Sequence, residues 1–380
     1  MINSNANALG IIFPNSYDAL VPELVSERLM ASIPFAGRYR MIDFILSSMV
    51  NCGIDNISVL VRNNYYSLMD HLGSGREWDL ARKKGGLNII PPFAEKSVGM
   101  YNGRIDALAS ILAFLKSQKE KYVVLTDAHI AVNFDFNALL DAHIESGADV
   151  TVAYAEEELP VISDHVQPGS KGFFYSLQIE DGRVTKIKIN PQDEGKQNFS
   201  MNIYVMERES LIDKVNTAFV RGNVYFERDI LAPNLDKLNV HAFKFEGYYA
   251  RINDMKSYFN ENMKLLDDAN LDGLFSPNPV YTKIRDDNPT RYIPGSKVSN
   301  IMAADGCVIE GEVENSILFR GVKIGKGAKV KNCVLMQDTV VEEGANLEYV
   351  ISDKNVHITA GKELKGTDTM QVFVEKRKIV

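Results

Sequence analysis

Arg28, Arg38 and Arg40 lie close together around a helix that opens at Met41. Guanidinium groups present planar, bidentate donors, so this cluster suits a phosphorylated sugar as ligand. The competing reading is a solvated face on which the same arginines pair with Asp43 or Glu27. Two carboxylates would hold a divalent cation if the fold brought them within coordination range. They are Asp127, at the end of an apolar strand, and Asp254, just ahead of a helix. His129 follows the first of these and reads as a core or rim histidine. His357 is the only histidine in the C-terminal part, and a hexapeptide-type acyltransferase would have to use it. Cys52, Cys307 and Cys333 are far apart and form no C-x-x-C pair, which argues for a reducing cytoplasm and against structural zinc.

The elements that position these groups follow from periodicity. Ile42, Ile45, Leu46, Met49 and Val50 recur at three- and four-residue steps, so Met41 to Cys52 is a helix with one buried face, closed by Gly53. Strands at Leu9 to Phe13 and Ile57 to Val61 complete a β-loop-α-β unit. Tyr122 to Leu125 and Asp149 to Tyr154 are further strands, and Ile105 to Leu115 and Phe136 to Ser146 are amphipathic helices. This alternation predicts a mostly parallel sheet covered on both faces. Phe173 to Lys188 reads as a hairpin turned at Asp181-Gly182. A helix over Met255 to Ala269 closes a first domain of residues 1–269. A proline-rich linker spans 270–295.

Residues 296–380 change period. VENSILFRGVKIGKGAK is followed by VKNCVLMQDTVVEEGAN and LEYVISDKNVHITAGKE. Val313, Val330 and Leu347 are equivalent, as are Ile317, Val334 and Ile351, and Ile324, Val341 and Ile358. A constant repeat with an inner six-residue step predicts a left-handed parallel β-helix of hexapeptide-like repeats. A weaker coil at Val298, Ile301, Cys307 and Ile309 precedes it. With 380 residues and a net charge of −8, the chain fits two domains and no general nucleic-acid surface. No apolar run reaches membrane-spanning length and no signal peptide is read, so the expected location is cytoplasmic.

The segment IPFAGRYRMIDF at Ile33 to Phe44, the stretch YNGRIDA at Tyr101 to Ala107 and NPVYT at Asn278 to Thr282 resemble the bacterial ADP-glucose pyrophosphorylases. The resemblance covers nearly the whole chain. It implies a Rossmann-like nucleotidyltransferase domain joined to a β-helix. It also implies Mg²⁺-dependent joining of glucose 1-phosphate to ATP, with release of pyrophosphate. That reaction needs a phosphate-cradling loop, a cation at the phosphates and carboxylates on the metal.

At those positions this chain departs from the family. IIFPNSYDAL replaces the glycine-rich loop, and Pro14 removes a backbone donor. Met30 stands at the first lysine and Asn190 at the sugar-phosphate lysine. Ala128 and Ile252 stand at the metal aspartates. Asp127 is one residue early, so its side chain is expected on the other side of an extended segment. Tyr101, Gly103, Asp106, Asp127 and Asn190 are left as a vestigial sugar-phosphate pocket. In it Arg104 crowds the space, and Asp106 is expected to pair with Arg104. The resemblance is closest to the non-catalytic, regulatory subunits of two-component members. It implies a heterotetramer with a homologous catalytic chain that uses the Mg²⁺. It also places Arg28 and Arg40 at an effector anion site for a phosphorylated sugar. A homo-oligomer in isolation and an active enzyme with a displaced metal site are the alternatives.

Overall fold

The computed structural model describes residues 7–92, 101–160 and 173–380. The first domain is built on a nine-stranded sheet. In chain order its strands are β1 (Ala8–Phe13), β2 (Asn56–Leu60), β3 (Gly86–Ile90), β4 (Tyr122–Asp127), β5 (Val150–Glu157), β6 (Tyr175–Glu180), β7 (Arg183–Ile189), β8 (Gln197–Glu207) and β9 (Val240–Lys244). The spatial order is β3-β2-β1-β4-β8-β5-β9-β7-β6. β3, β2, β1 and β4 run parallel, as the βαβ rhythm predicts, and β9 is parallel to β5. β8 enters antiparallel to both β4 and β5, and the hairpin β6-β7 closes the far edge. Period-two alternation splits the core into two layers. Ile12, Ile57 and Val124 face one, and Leu9, Ile11, Val123 and Leu125 face the other.

Helix α1 (Met41–Asn51) packs Ile42, Ile45, Leu46 and Met49 on the first layer. Asp43 caps it by accepting the N–H of Arg40 at 2.9 Å. Gly10 lets it sit close, because a Cβ there would lie 2.7 Å from the Met49 sulfur. Two expected helices are each broken in two. Ile105 to Leu115 divides into α2 (Arg104–Ala109) and a second helix, Leu112–Ser117. There Ser110 Oγ bonds back to the Ala107 carbonyl at 2.7 Å, which competes with the helix ladder. Met255 to Ala269 divides into α3 (Met255–Lys264) and α4 (Asp268–Phe275). Asp267 restarts the helix by capping the N–H groups of Ala269 and Asn270 at 3.0 and 3.3 Å. α4 therefore occupies the start of the segment that composition reads as linker.

The C-terminal part is a parallel β-helix. Val313 pairs with Val330 and Val330 with Leu347; Ile324 pairs with Val341 and Val341 with Ile358. These are the equivalences the repeat predicts. Two edge strands, β10 (Arg291–Tyr292) and β11 (Lys297–Ala303), form the first coil. One corner is built from asparagines at positive φ: Asn300, Asn315 and Asn332, at 49°, 45° and 51°. Each donates Nδ2 to the next Oδ1, at 2.8 and 2.6 Å. One apolar cluster joins the two domains, with Phe35, Phe44 and Phe259 against Ile317, Phe319, Val334 and Ile351. Among the described residues, no helix is long and apolar enough to cross a membrane.

Candidate functional site: an ion-paired cavity and a cationic cleft

At the C-terminal ends of β1 and β4 lies a cavity of about 80 Å³, lined by Phe13, Asn15, Ser16, Arg62, Tyr101, Gly103, Asp127 and Glu227 among others. That is well below the ~300 Å³ at which small-molecule sites begin. Gly103 is required by close packing, since a Cβ there would lie 2.3 Å from the Val224 carbonyl oxygen. Arg104, at the start of α2, reaches across and ion-pairs with both Asp127 and Glu227. The side chains of Asp127 and Glu227 are 1% and 4% exposed, and that of Arg104 is 11% exposed. Burial, the largest single influence, lowers the pKa of Arg104, but Asp127 together with Tyr204, Tyr175 and Tyr17 outweighs it and holds the group above its ordinary value. Asp127 also accepts from Ser16 Oγ at 2.5 Å and from Asn202 Nδ2 at 3.0 Å. Asn202 reaches it from a β-bulge in β8, where the register shifts between Ser200 and Ile203.

The loop after β1 turns into the core. Tyr17 stacks on His129 with centroids 3.7 Å apart, and its hydroxyl donates to the Phe173 carbonyl at 2.5 Å. Arg251 Nη1 donates to His129 Nε2 at 3.0 Å. Burial and then Arg251 hold His129 well below its ordinary pKa, so the ring is neutral. Asp18 anchors the loop by accepting the Met30 N–H at 2.7 Å. Met30, Ala128 and Ile252 are all buried among apolar side chains.

Four expectations are corrected here. Asp127 faces the cavity, because it shares the strand face of Val123 and Leu125; what occupies it is Arg104, and its register is not the obstacle. Asp106 does not pair with Arg104, since residues two apart on a helix point away from each other. It is half-exposed and accepts the Asn102 N–H at 3.0 Å. Asn190 lies outside this cavity. At φ +46° its Oδ1 accepts the N–H groups of Phe173 and Phe174, at 2.8 and 3.1 Å. Asp254 lines a different cavity and caps α3 through the Ser257 N–H at 2.6 Å, so it does not converge with Asp127.

The arginine cluster is divided as well. Arg28 is buried, and its Nη2 donates to both carboxylate oxygens of Asp353 of the β-helix at 2.6 and 2.9 Å, and not to Asp43 or Glu27. Glu27 pairs instead with Lys376 at 2.5 Å. Arg38 and Arg40 do meet, in a cleft of about 260 Å³ between the domains. Lys283, Arg285, Arg320 and Lys354 join them, against Asp70 as the only lining carboxylate among the described residues. Arg38 lies at the rim, 3.7 Å from Asp305, with its side chain 46% exposed. Arg40 is held down to about 10 by burial. Burial, then Arg40 and Arg28, holds Lys354 well below its ordinary pKa, and burial lowers Arg320. Among the described residues, Arg40, Arg320 and Lys354 form no ion pair, and the buried Arg320 Nε has no hydrogen-bond partner.

The chain matches the nucleotidyl transferase family over residues 23–268 and the GlmU-like, C-terminal hexapeptide family over residues 284–372. It is 34% identical over 374 residues to the glycogen biosynthesis protein GlgD of Bacillus subtilis (strain 168), covering 98% of this chain and 96% of that one. The chain belongs to the family of glucose-1-phosphate adenylyltransferases and GlgD proteins. GlgD of Geobacillus stearothermophilus is 36% identical over 335 residues, 86% of this chain and 83% of that one. A glucose-1-phosphate adenylyltransferase of the same species is 33% identical over 305 residues, 79% and 77% of the two chains.

Sequence reasoning misses Ser16, Asn202 and Glu227, which no local pattern marks. It also misses Arg320 and Lys354, although the repeat carries the signal. Arg320, Gln337 and Lys354 occupy the same position in successive coils, and all three line the cleft.

Proposed function

We propose that this chain is a regulatory, catalytically inactive subunit of ADP-glucose synthesis in bacterial glycogen biosynthesis. It assembles with a homologous catalytic chain, in a heterotetramer, and carries a phosphorylated effector in the cleft between its domains. The observation that carries this reading is the Arg104 guanidinium between Asp127 and Glu227. The residues present do not fit a divalent cation, because an internal cation already neutralises the carboxylates that would hold one. The Mg²⁺ and the chemistry then belong to the catalytic chain. The cleft supports the effector reading. Among the described residues its cations outnumber its carboxylates, and Arg40, Arg320 and Lys354 have no carboxylate partner.

The test is ADP-glucose formation by the purified chain at saturating Mg²⁺, ATP and glucose 1-phosphate, alone and mixed with a catalytic homologue. The expected result is no turnover alone and an altered rate or effector response in the mixture. Turnover by the chain alone overturns the reading.

A further inference from the structure

The cavity that Asp254 lines has a volume of about 590 Å³ and opens between the end of β5 and the side of α3. It shares no lining residue with the Arg104 cavity or with the cationic cleft. Its size falls in the ~300–1,000 Å³ range of small-molecule sites. Two of its buried side chains carry unmet hydrogen-bonding groups. Asn253 is 8% exposed; its backbone N–H donates to Ser257 Oγ at 2.9 Å, but its side-chain amide bonds to none of the described residues. Arg251 is 5% exposed, and its Nε has no partner among the described residues, although Nη1 and Nη2 are taken up by His129, the Ser200 carbonyl and Glu157. Buried amide and guanidinium groups left unpaired cost free energy that a ligand can recover. The charges around them are already paired. Glu157 meets Arg251 and Glu261 meets Lys264, each at 2.6 Å, and the Tyr248 hydroxyl donates to Glu261 at 3.3 Å. Asp254 is committed to the cap of α3. Among the described residues the lining holds four carboxylates against three cations, so it disfavours a phosphate, the reverse of the cleft.

We propose that this cavity binds a neutral saccharide of one or two sugar units. A sugar hydroxyl both donates and accepts, which is what the open groups require. The amides of Asn253 and Asn260 each offer a carbonyl oxygen and an NH₂ to neighbouring hydroxyls, and the Arg251 Nε–H needs an acceptor. Glu157 and Glu261 keep carboxylate lone pairs beyond those used in their ion pairs, so they accept from hydroxyls without giving up Arg251 or Lys264. The half-buried ring of Tyr249, set edge-on to Phe245, gives the C–H face of a sugar an apolar surface. A charged ligand would have to break one of the two pairs; a neutral one leaves both intact. This inference goes beyond the regulatory reading and does not depend on it, since the anion and the saccharide occupy separate sites.

Titration calorimetry of the full chain tests it, with glucose, maltose and inorganic phosphate as probes. Saturable binding of glucose or maltose at millimolar concentration is expected, and phosphate should not displace the sugar. Asn253→Leu and Asn260→Leu should each weaken sugar binding about fivefold to tenfold, the worth of a hydrogen bond to a neutral group. Lys354→Met, in the cleft, should leave it unchanged. Thermal unfolding checks the fold of each variant. If N253L does not fold, N260L decides, because Asn260 is only half-buried on α3. Absence of saturable binding for both sugars overturns the proposal. So does sugar binding that survives undiminished in the folded variants, or that phosphate or K354M abolishes.

Discussion

Replacing Arg104 by methionine keeps most of the side-chain volume and removes the charge that holds Asp127 and Glu227 together. The two carboxylates do not suffer equally. Asp127 retains Ser16 Oγ and Asn202 Nδ2, whereas Glu227 has no other side-chain partner among the described residues. Both stay buried, so the change leaves uncompensated charge, which costs about 3–5 kcal/mol when one partner of a buried pair is removed. The sign of the pH dependence follows. Without the guanidinium, both carboxylates are left as uncompensated buried anions, and protonating them relieves the cost. A group with a raised folded pKa contributes most at low pH and loses that contribution as pH rises. The deficit of Arg104→Met is therefore largest at pH 7 and shrinks toward pH 5. Adding Glu227→Gln to R104M recovers part of it, because a neutral amide is less costly to bury. Urea unfolding at several pH values reads all of this. Asp79→Asn, at the exposed Arg82–Asp79 pair, serves as the control and should change stability by less than about 1 kcal/mol. A deficit for R104M below about 1 kcal/mol, or one that does not vary with pH, would refute the reasoning.

Asp353→Asn breaks the buried pair with Arg28 that ties the domains together; a loss of about 3–5 kcal/mol is expected in thermal or urea unfolding, with partial recovery in R28M/D353L. Asp254→Ala should cost about 1 kcal/mol, the worth of a helix cap, and leave any metal dependence of a mixed assembly unchanged. His71, His129 and His143 are all held below their ordinary pKa, chiefly by burial. Unfolding lets each take up a proton, so stability should fall as pH drops below about 6.5, by up to ~1.4 kcal/mol per unit for each histidine. His129→Gln should reduce that slope, as read by urea midpoints between pH 5 and 7. Lys354→Met should weaken phosphate or pyrophosphate binding in the cleft about tenfold or more, the worth of one charge-assisted hydrogen bond. An anion there favours the protonated amine, so calorimetry should show proton uptake on binding and an affinity that falls as pH rises.

The elements that pack by simple period were legible. α1 follows from the spacing of Ile42, Ile45, Leu46 and Met49, and the β-helix follows from a repeat whose equivalences are the observed strand partners. β8 escaped because its bulge at Asn202 breaks the alternation that would have revealed it. The helix breaks at Ser110 and Asp267 escaped because side-chain-to-backbone bonds, which carry no periodic signal, decide them. For the site, the sequence shows which residues stand at the family positions. It does not show what replaces their interactions. Arg104 is visible as a bulky intruder beside Tyr101 and Asp106. Its partners come from β4 and from the segment around Phe226, far off in the chain, and only the fold brings Glu227 to it.

The two sites differ most in how their charge is balanced. In the cavity Asp127 and Glu227 share the Arg104 guanidinium, and hydrogen bonds from Ser16 and Asn202 to Asp127 supply further compensation. That group is satisfied from within, and an incoming triphosphate with its metal would have to displace a buried pair before gaining anything. In the cleft the balance is reversed. Lys283 and Arg285 have carboxylate partners, at 3.1 Å from Asp70 and Asp287, but Arg40, Arg320 and Lys354 have none among the described residues. Partly buried cations without counter-charges destabilise the free protein, and an anion that enters relieves the cost. Uncompensated positive charge among the described residues is therefore concentrated at the domain boundary. There the floor is built jointly by Arg40 of the first domain and by Arg320 and Lys354 of the β-helix, two coils apart with Gln337 between them. A ligand held by both domains would report on their relative position, as the proposed regulatory role requires and a closed cavity cannot supply.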